Sequence, residues 1–334
     1  MNNVINSSDA TATRMAHEFA HRGTLQAMME SFPLVIVMLS AFLGNSLVLW
    51  AVKCNPRLRT TLNYYVAALA STDLLMAILA MPLSLSVLIV GRWPFNEASC
   101  AYHGYIMTTL GSASLFILTL TAVNRYFKVV RPNQYRTYFK VKAVLSSLVV
   151  TWLVAIAWPV YFVVKGLIRY HPGKFCCIYD LDLVSLGEGL ALNIAMAVFT
   201  FDIMTFSYFK IFLTVRKHNA NLGKNNTSAR ISAKDLNVTK LLFAVVIVYV
   251  LCWLPLLIVD TTELFTGPYV FPRQVYQLYS YMVGVNSAIN PVLYGFFNRE
   301  FKMEFKRILK IGENSNSVRP LSKIMQSQSR KNET

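Results

Sequence analysis

Asn286, Asn290 and Tyr294 recur at i, i+4 and i+8 in Asn286-Ser287-Ala288-Ile289-Asn290-Pro291-Val292-Leu293-Tyr294, so their side chains share one helical face. The surrounding stretch is apolar enough to cross a bilayer, where an amide needs a partner because water is absent. Pro291 has no N–H and crowds the carbonyl of Ser287, which kinks the helix and frees an acceptor in the same place. Asn45, Asp73 and Ser114 sit in other apolar runs, and by helix rise all of these groups fall near mid-membrane or slightly to one side. A carboxylate ringed by amides and hydroxyls is an oxygen-rich pocket suited to a small hard cation such as Na⁺, or to a proton. A structural hydrogen-bond network without an ion uses the same groups.

Three further constellations could do work. The stretch from Cys100 to Arg125 is long enough, at about 1.5 Å per residue, to carry a helix from one membrane face to the other. Asn124-Arg125-Tyr126 then meets the opposite face, where Asp235 also falls, because it precedes Pro255 by most of a span. An Arg125 to Asp235 ion pair would latch two helices together there; two snorkelling surface charges are the plainer alternative. Cys252-Trp253-Leu254-Pro255 puts a large aromatic beside a kinking proline, a candidate hinge, although packing alone explains most aromatics. Asp260 and Glu263, further along, could meet a cationic ligand or a basic peptide, but solvated loop acids are the simpler expectation. Asp202, inside another apolar run, has to face the bundle or titrate to neutral.

The elements that must position these groups follow from composition. The chain has 334 residues, of which 55% are hydrophobic and 14% charged, outside the range of a soluble domain. Apolar runs at 32–52, 63–88, 100–126, 141–164, 189–215, 240–261 and 274–297 are each about the length that spans a bilayer. The expected fold is an all-α membrane protein: a seven-helix transmembrane bundle. Residues 1–31 form an N-terminal segment, 32–297 the bundle, 298–310 an amphipathic helix and 311–334 a disordered tail. That helix carries Phe301, Phe305 and Leu309 on one face with Arg299, Lys302, Lys306, Arg307 and Lys310 between them, as befits a membrane surface.

The net charge of +16 does not indicate nucleic acid, because of how it is distributed. Lys and Arg crowd the loops that follow the first, third and fifth runs and the segment after Phe297. By the positive-inside rule this puts the N-terminus outside and the C-terminus in the cytoplasm, with anionic lipid as a secondary partner. Residues 1–30 lack an apolar core, so no cleavable signal peptide is expected. Asn6-Ser7-Ser8 is a glycosylation acceptor on the outer side. Cys100, Cys176 and Cys177 face the oxidising compartment. A bridge from Cys100 would pin the loop after the fourth run, and chemistry leaves Cys176 and Cys177 equally eligible. No enzymatic His/Asp/Glu set occurs at matching depth. A transporter would spread its polar groups along a path, whereas here they cluster around Asp73.

Together these residues resemble the rhodopsin-like (class A) G-protein-coupled receptors over roughly 32–310. The resemblance is carried by Gly44-Asn45, Leu69-Ala70-Ser71-Thr72-Asp73, Cys100, Asn124-Arg125-Tyr126, Trp152, Tyr208, Cys252-Trp253-Leu254-Pro255 and Asn290-Pro291-Val292-Leu293-Tyr294. It implies an extracellular ligand, a plasma-membrane location and an allosteric sodium ion around Asp73, with no other cofactor. It also implies activation of a heterotrimeric G protein near Arg125, Tyr126, Tyr208 and Tyr294, with arrestin and a receptor kinase as further partners. Met107 stands where the amine receptors carry an aspartate, and Gly284 where opsins carry the retinal-binding lysine.

Within that family the chain is similar to melatonin receptors in the loop 166–179, in Asn124, in Met107 and in 286–295. This resemblance selects Cys177 as the partner of Cys100, and it places Tyr179 against an indole. It also makes inhibition of adenylate cyclase the expected output. Phe162, Met196, Leu181, Thr200 and Pro291 depart from the melatonin pattern, so the chain reads as a divergent member. The pocket that the resemblance implies is Met107, Thr108, Gly111, Tyr179, Asn193, Met196, Trp253, Leu257, Asp260, Tyr276 and Ser280, open to a small lipophilic ligand. A peptide ligand is the alternative.

Overall fold

The computed structural model describes residues 2–180, 186–221 and 233–311, with the backbone alone at 2–9, 186, 188–199, 218–221 and 233–242. Seven long helices run Thr24–Cys54, Thr61–Val90, Glu97–Val130, Val141–Val164, Leu186–Asn221, Ala233–Thr266 and Arg273–Phe297, and are called here the first to seventh spans. Among the described residues, five helices are long and apolar enough to cross a membrane. The fifth span is only partly described, and the seventh carries the amides that lower its hydropathy. The expected tail, 311–334, lies beyond the described residues except for Ile311.

Local chemistry sets where the spans begin and end. Thr60 accepts from Asn63 N–H at 3.3 Å and Asn96 from Ser99 N–H at 2.9 Å, so each caps the start of the span that follows it. Gly91, with φ of 81°, ends the second span in the left-handed region. Pro159 interrupts the fourth span between Ala157 and Val160. The second span loosens into a π-turn over Met76–Ala80, and His103 of the third span bonds the Ala80 carbonyl at 3.3 Å.

Asn298 ends the seventh span and accepts from Glu300 N–H (3.0 Å) and Phe301 N–H (3.4 Å), starting the helix Arg299–Ile308 in a new direction. Phe301 of that helix is fully buried, and Glu304 accepts from Asn55 Nδ2 at 3.0 Å, tying it to the end of the first span.

Two differences from expectation concern whole segments. The N-terminal segment has a helix of its own, Asn2–Ala20, and the first span begins at Thr24, inside what reads as that segment. Met15 and Phe19 of the N-terminal helix are buried, so the helix packs onto the bundle. Its polar composition hides this because only one of its turns needs to be apolar. Asp202 is exposed on the outer surface of the fifth span, beside the buried Met204, so it does not face the bundle.

Candidate ligand site

In the loop after the fourth span, packed against the third, a two-stranded antiparallel hairpin forms from Ile168–His171 (β1) and Cys176–Tyr179 (β2), with Ile168 opposite Tyr179 and His171 opposite Cys176. Cys100 is bonded to Cys177, and Cys176 is a free, buried thiol. Gly104 makes the approach possible, since a Cβ there would lie 2.5 Å from Ile168 Cγ2 and 3.1 Å from the Cys177 carbonyl. Cys177 N–H donates to His103 Nδ1 at 3.2 Å, which leaves His103 Nε2 to carry the proton toward Ala80 O and Ser84 Oγ (3.2 Å).

Beneath the hairpin is a cavity of about 200 Å³, reached by residues of all seven spans and mainly apolar. Met107, Thr108, Gly111, Tyr179, Trp253, Leu257, Asp260 and Ser280 line it. Asn193 and Met196 have side chains outside the described residues. Tyr276 does not line the cavity: it is fully buried, its hydroxyl donating to Glu263 Oε1 at 2.6 Å and accepting from Phe271 N–H at 3.3 Å. Resemblance places Tyr276 on its helix, but the carboxylate that holds its hydroxyl lies on another helix.

The polar groups of the wall are mostly satisfied from within. Thr108 Oγ1 donates to Gly104 O at 2.8 Å, Ser280 Oγ donates to Lys174 O, and Ser112 Oγ accepts from Trp158 Nε1 at 3.0 Å. Trp253 Nε1 is buried with no partner among the described residues. Phe162 stacks on Tyr179 at 4.9 Å, and Trp158 meets Phe162 edge-on at 5.3 Å. Where melatonin receptors carry an asparagine, this chain therefore builds an aromatic ladder behind the cavity wall.

Asp260 and Glu263 are not solvated loop acids. Lys174, from the hairpin turn, reaches Asp260 Oδ1 at 2.9 Å and Glu263 Oε2 at 2.8 Å, and both Lys174 and Glu263 are 3% exposed. Burial by itself would lower the Lys174 ammonium, but the two carboxylates outweigh it and hold the group above its ordinary value. Burial lowers the His171 imidazole against the pull of Glu263, 3.6 Å from its Nε2. Burial also pushes the Cys176 thiol up to about 12. No periodicity reveals this cluster, because Lys174 lies in a turn and reaches the sixth span only after the disulfide folds the loop inward.

The N-terminal helix covers the same end. Phe19 stacks on Phe175 at 5.0 Å, and Arg22 lies 4.2 Å over the Phe19 ring while pairing with Glu30, which Arg273 also holds. Met15 joins the buried cluster of Leu256, Val259, Tyr276 and Tyr279.

Below the cavity the polar core assembles. Asn290 Nδ2 donates to Asp73 Oδ2 at 2.8 Å and to the Asn286 carbonyl at 3.4 Å. Asn45 Nδ2 donates to Ala41 O at 2.8 Å and to Ser287 O at 3.0 Å, the acceptor that Pro291 frees. Asn45, Asp73, Ser114, Asn286, Ser287 and Asn290 are all buried. Asp73 Oδ1 and Asn45 Oδ1 are buried without hydrogen-bond partners among the described residues.

At the far end, Arg125 is buried at 3% exposure, so it is not a snorkelling charge, and it lies within electrostatic reach of Tyr208. Tyr126 is half-buried, and Tyr294 is buried and stacks on Phe301 at 5.6 Å. Pro255 and Pro291 both lie inside their helices. The side chains of Asp235 and of the glycosylation candidate Asn6 lie outside the described residues.

A family profile described as 7 transmembrane receptor (rhodopsin family) matches residues 44–294. The chain is 30% identical to melatonin receptor type 1C of Gallus gallus over 285 residues, covering 83% of this chain and 80% of that receptor. It is 28% identical to melatonin receptor type 1A of Phodopus sungorus over 287 residues, 84% of this chain and 79% of that one. Trace amine-associated receptor 7d of Mus musculus is 25% identical over 332 residues, covering 92% of each chain.

Proposed function

This chain belongs to the rhodopsin family of seven-transmembrane receptors, and from that membership we propose that it binds a small lipophilic ligand beneath the hairpin and activates a heterotrimeric G protein. The observation that carries the ligand class is the cavity itself: mainly apolar, about 200 Å³, and overlain by both the hairpin and the N-terminal helix. A peptide would have to displace part of this covering, whereas a small molecule fits beneath it. The charge distribution supports a plasma-membrane receptor with its N-terminus outside and the Arg125 end in the cytoplasm. Arrestin and a receptor kinase belong to the same proposal, at that end.

Signal passes through groups already paired. Trp253 lines the cavity and stacks on Tyr249 at 5.5 Å, two residues before Pro255. Ligand pressure on the indole is turned by the proline kink into movement of the far end of the sixth span, beside Arg125 and Tyr208. The family implies a sodium ion at Asp73, and the donor set fits it. Asp73 supplies one charge, and Asp73 Oδ1 and Asn45 Oδ1 are buried acceptors without partners among the described residues. When bound, the ion neutralises the carboxylate; Asn290 and Asn45 meanwhile hold the second, seventh and first spans in one arrangement.

The direct test is a panel of lipophilic indoles and related compounds, melatonin included, on cells that report cAMP. The expected result is that at least one member lowers cAMP, and that Arg125→Ala abolishes the response. Solute flux in proteoliposomes, with no nucleotide exchange, would instead identify a transporter.

A further inference from the structure

Resting on the receptor reading, we propose that Lys174 fills an ammonium-binding cage in this receptor's own ligand site, acting as a tethered cation that excludes amine ligands and reserves the cavity for uncharged molecules. The cage is built as an ammonium site is built. Two carboxylates, Asp260 and Glu263, contact Nζ at 2.9 and 2.8 Å, and the rings of Tyr279 and Tyr276 lie 4.8 and 5.8 Å from it. Every carboxylate oxygen is taken. Asp260 Oδ2 accepts from Tyr279 OH at 3.0 Å, and Glu263 Oε1 accepts from Tyr276 OH at 2.6 Å and from Tyr269 N–H at 3.1 Å.

The cage opens on the cavity, since Asp260, Lys174 and Tyr279 all line it. A ligand amine arriving there meets a cation already seated, and displacing it would strand a buried lysine. Met107 offers no carboxylate on the third span as a second choice. Among the described residues the cavity otherwise offers mainly apolar wall and the unpartnered Trp253 Nε1–H, which accommodate a neutral molecule carrying a hydrogen-bond acceptor.

Removing the tethered cation should therefore convert the site. In Lys174→Ala the ammonium and its stem are gone while both acids and both tyrosines remain. Thermal stability of the purified full-length receptor is measured against tryptamine, a primary ammonium, and against N-acetyltryptamine, its neutral amide. The expected result is that tryptamine stabilises Lys174→Ala at concentrations about tenfold or more below any effect on wild type, while N-acetyltryptamine shows no such preference for the variant.

Equal response of wild type and variant to tryptamine, or none in either, overturns the proposal. If the two unpaired acids keep Lys174→Ala from folding, Lys174→Ala with Glu263→Gln leaves Asp260 as a single acid on the cavity wall, and the same outcomes decide. Adding Asp260→Asn to whichever variant folds must abolish the gain. The readout needs no G protein, so a receptor that never exchanges nucleotide would fail the functional reading and leave this one standing.

Discussion

The carbonyl of Ser287 shows how one residue's chemistry propagates. Pro291 displaces it from the helical ladder, and in a bilayer no water can take the missing N–H's place. Asn45 supplies the replacement at 3.0 Å, and Gly44 beside it gives Pro291 room, since a Cβ at Gly44 would lie 2.9 Å from the proline ring. Among the described residues the same amide leaves its Oδ1 without a partner, as Asp73 leaves its own Oδ1, and a cation bound here would use these two acceptors. Sodium chloride should therefore raise the thermal stability of the wild-type receptor above that in potassium chloride of equal ionic strength. Asp73→Asn should erase the difference. A sodium preference retained in Asp73→Asn would move the ion elsewhere, and none in wild type would mean that Asn290 and Ser287 satisfy the carboxylate without an ion.

At the scale of elements, most of the spans are legible as apolar runs, and the polar core as groups sharing depth, because both depend on periodicity within a helix. The disulfide partner is legible only through family resemblance, since adjacent cysteines have equal chemistry. What periodicity misses is what other elements bring in: Lys174 in a turn, Tyr276 drawn to Glu263, and the N-terminal helix. That last element has few apolar residues, yet Met15 and Phe19 are buried against the sixth and seventh spans and against Phe175. Its role as a cover is testable through Cys176, a free thiol lining the cavity at 4% exposure. Deleting residues 1–22 should speed alkylation of Cys176 about tenfold or more, measured by mass spectrometry with Cys54 and Cys252 replaced by serine. An unchanged rate would mean that the hairpin alone closes the site.

Across the whole molecule, one buried cluster joins Tyr249 in the middle of the bundle to Met204, Tyr208, Ile211, Tyr294 and Phe301 at the far end, with Trp253 packed against it from the cavity floor. A close-packed path of this kind favours discrete arrangements over gradual bending, so a change at the cavity floor is expected to reach the far end. Arg125 bears on what restrains the far end. A guanidinium at 3% exposure demands acceptors or an opposite charge, and removing a partner costs more than the pair is worth. Asp235, near the start of the sixth span, is the acid that the sequence offers for this role, its side chain lying outside the described residues. If the two form the latch, Asp235→Ala should raise basal nucleotide exchange about fivefold or more without ligand. By reciprocity it should also enlarge the thermal shift given by a cavity ligand that activates the receptor, because the two ends share the cluster. Basal exchange equal to that of wild type would show that Arg125 is held by other groups, and that the sixth span is restrained by packing alone.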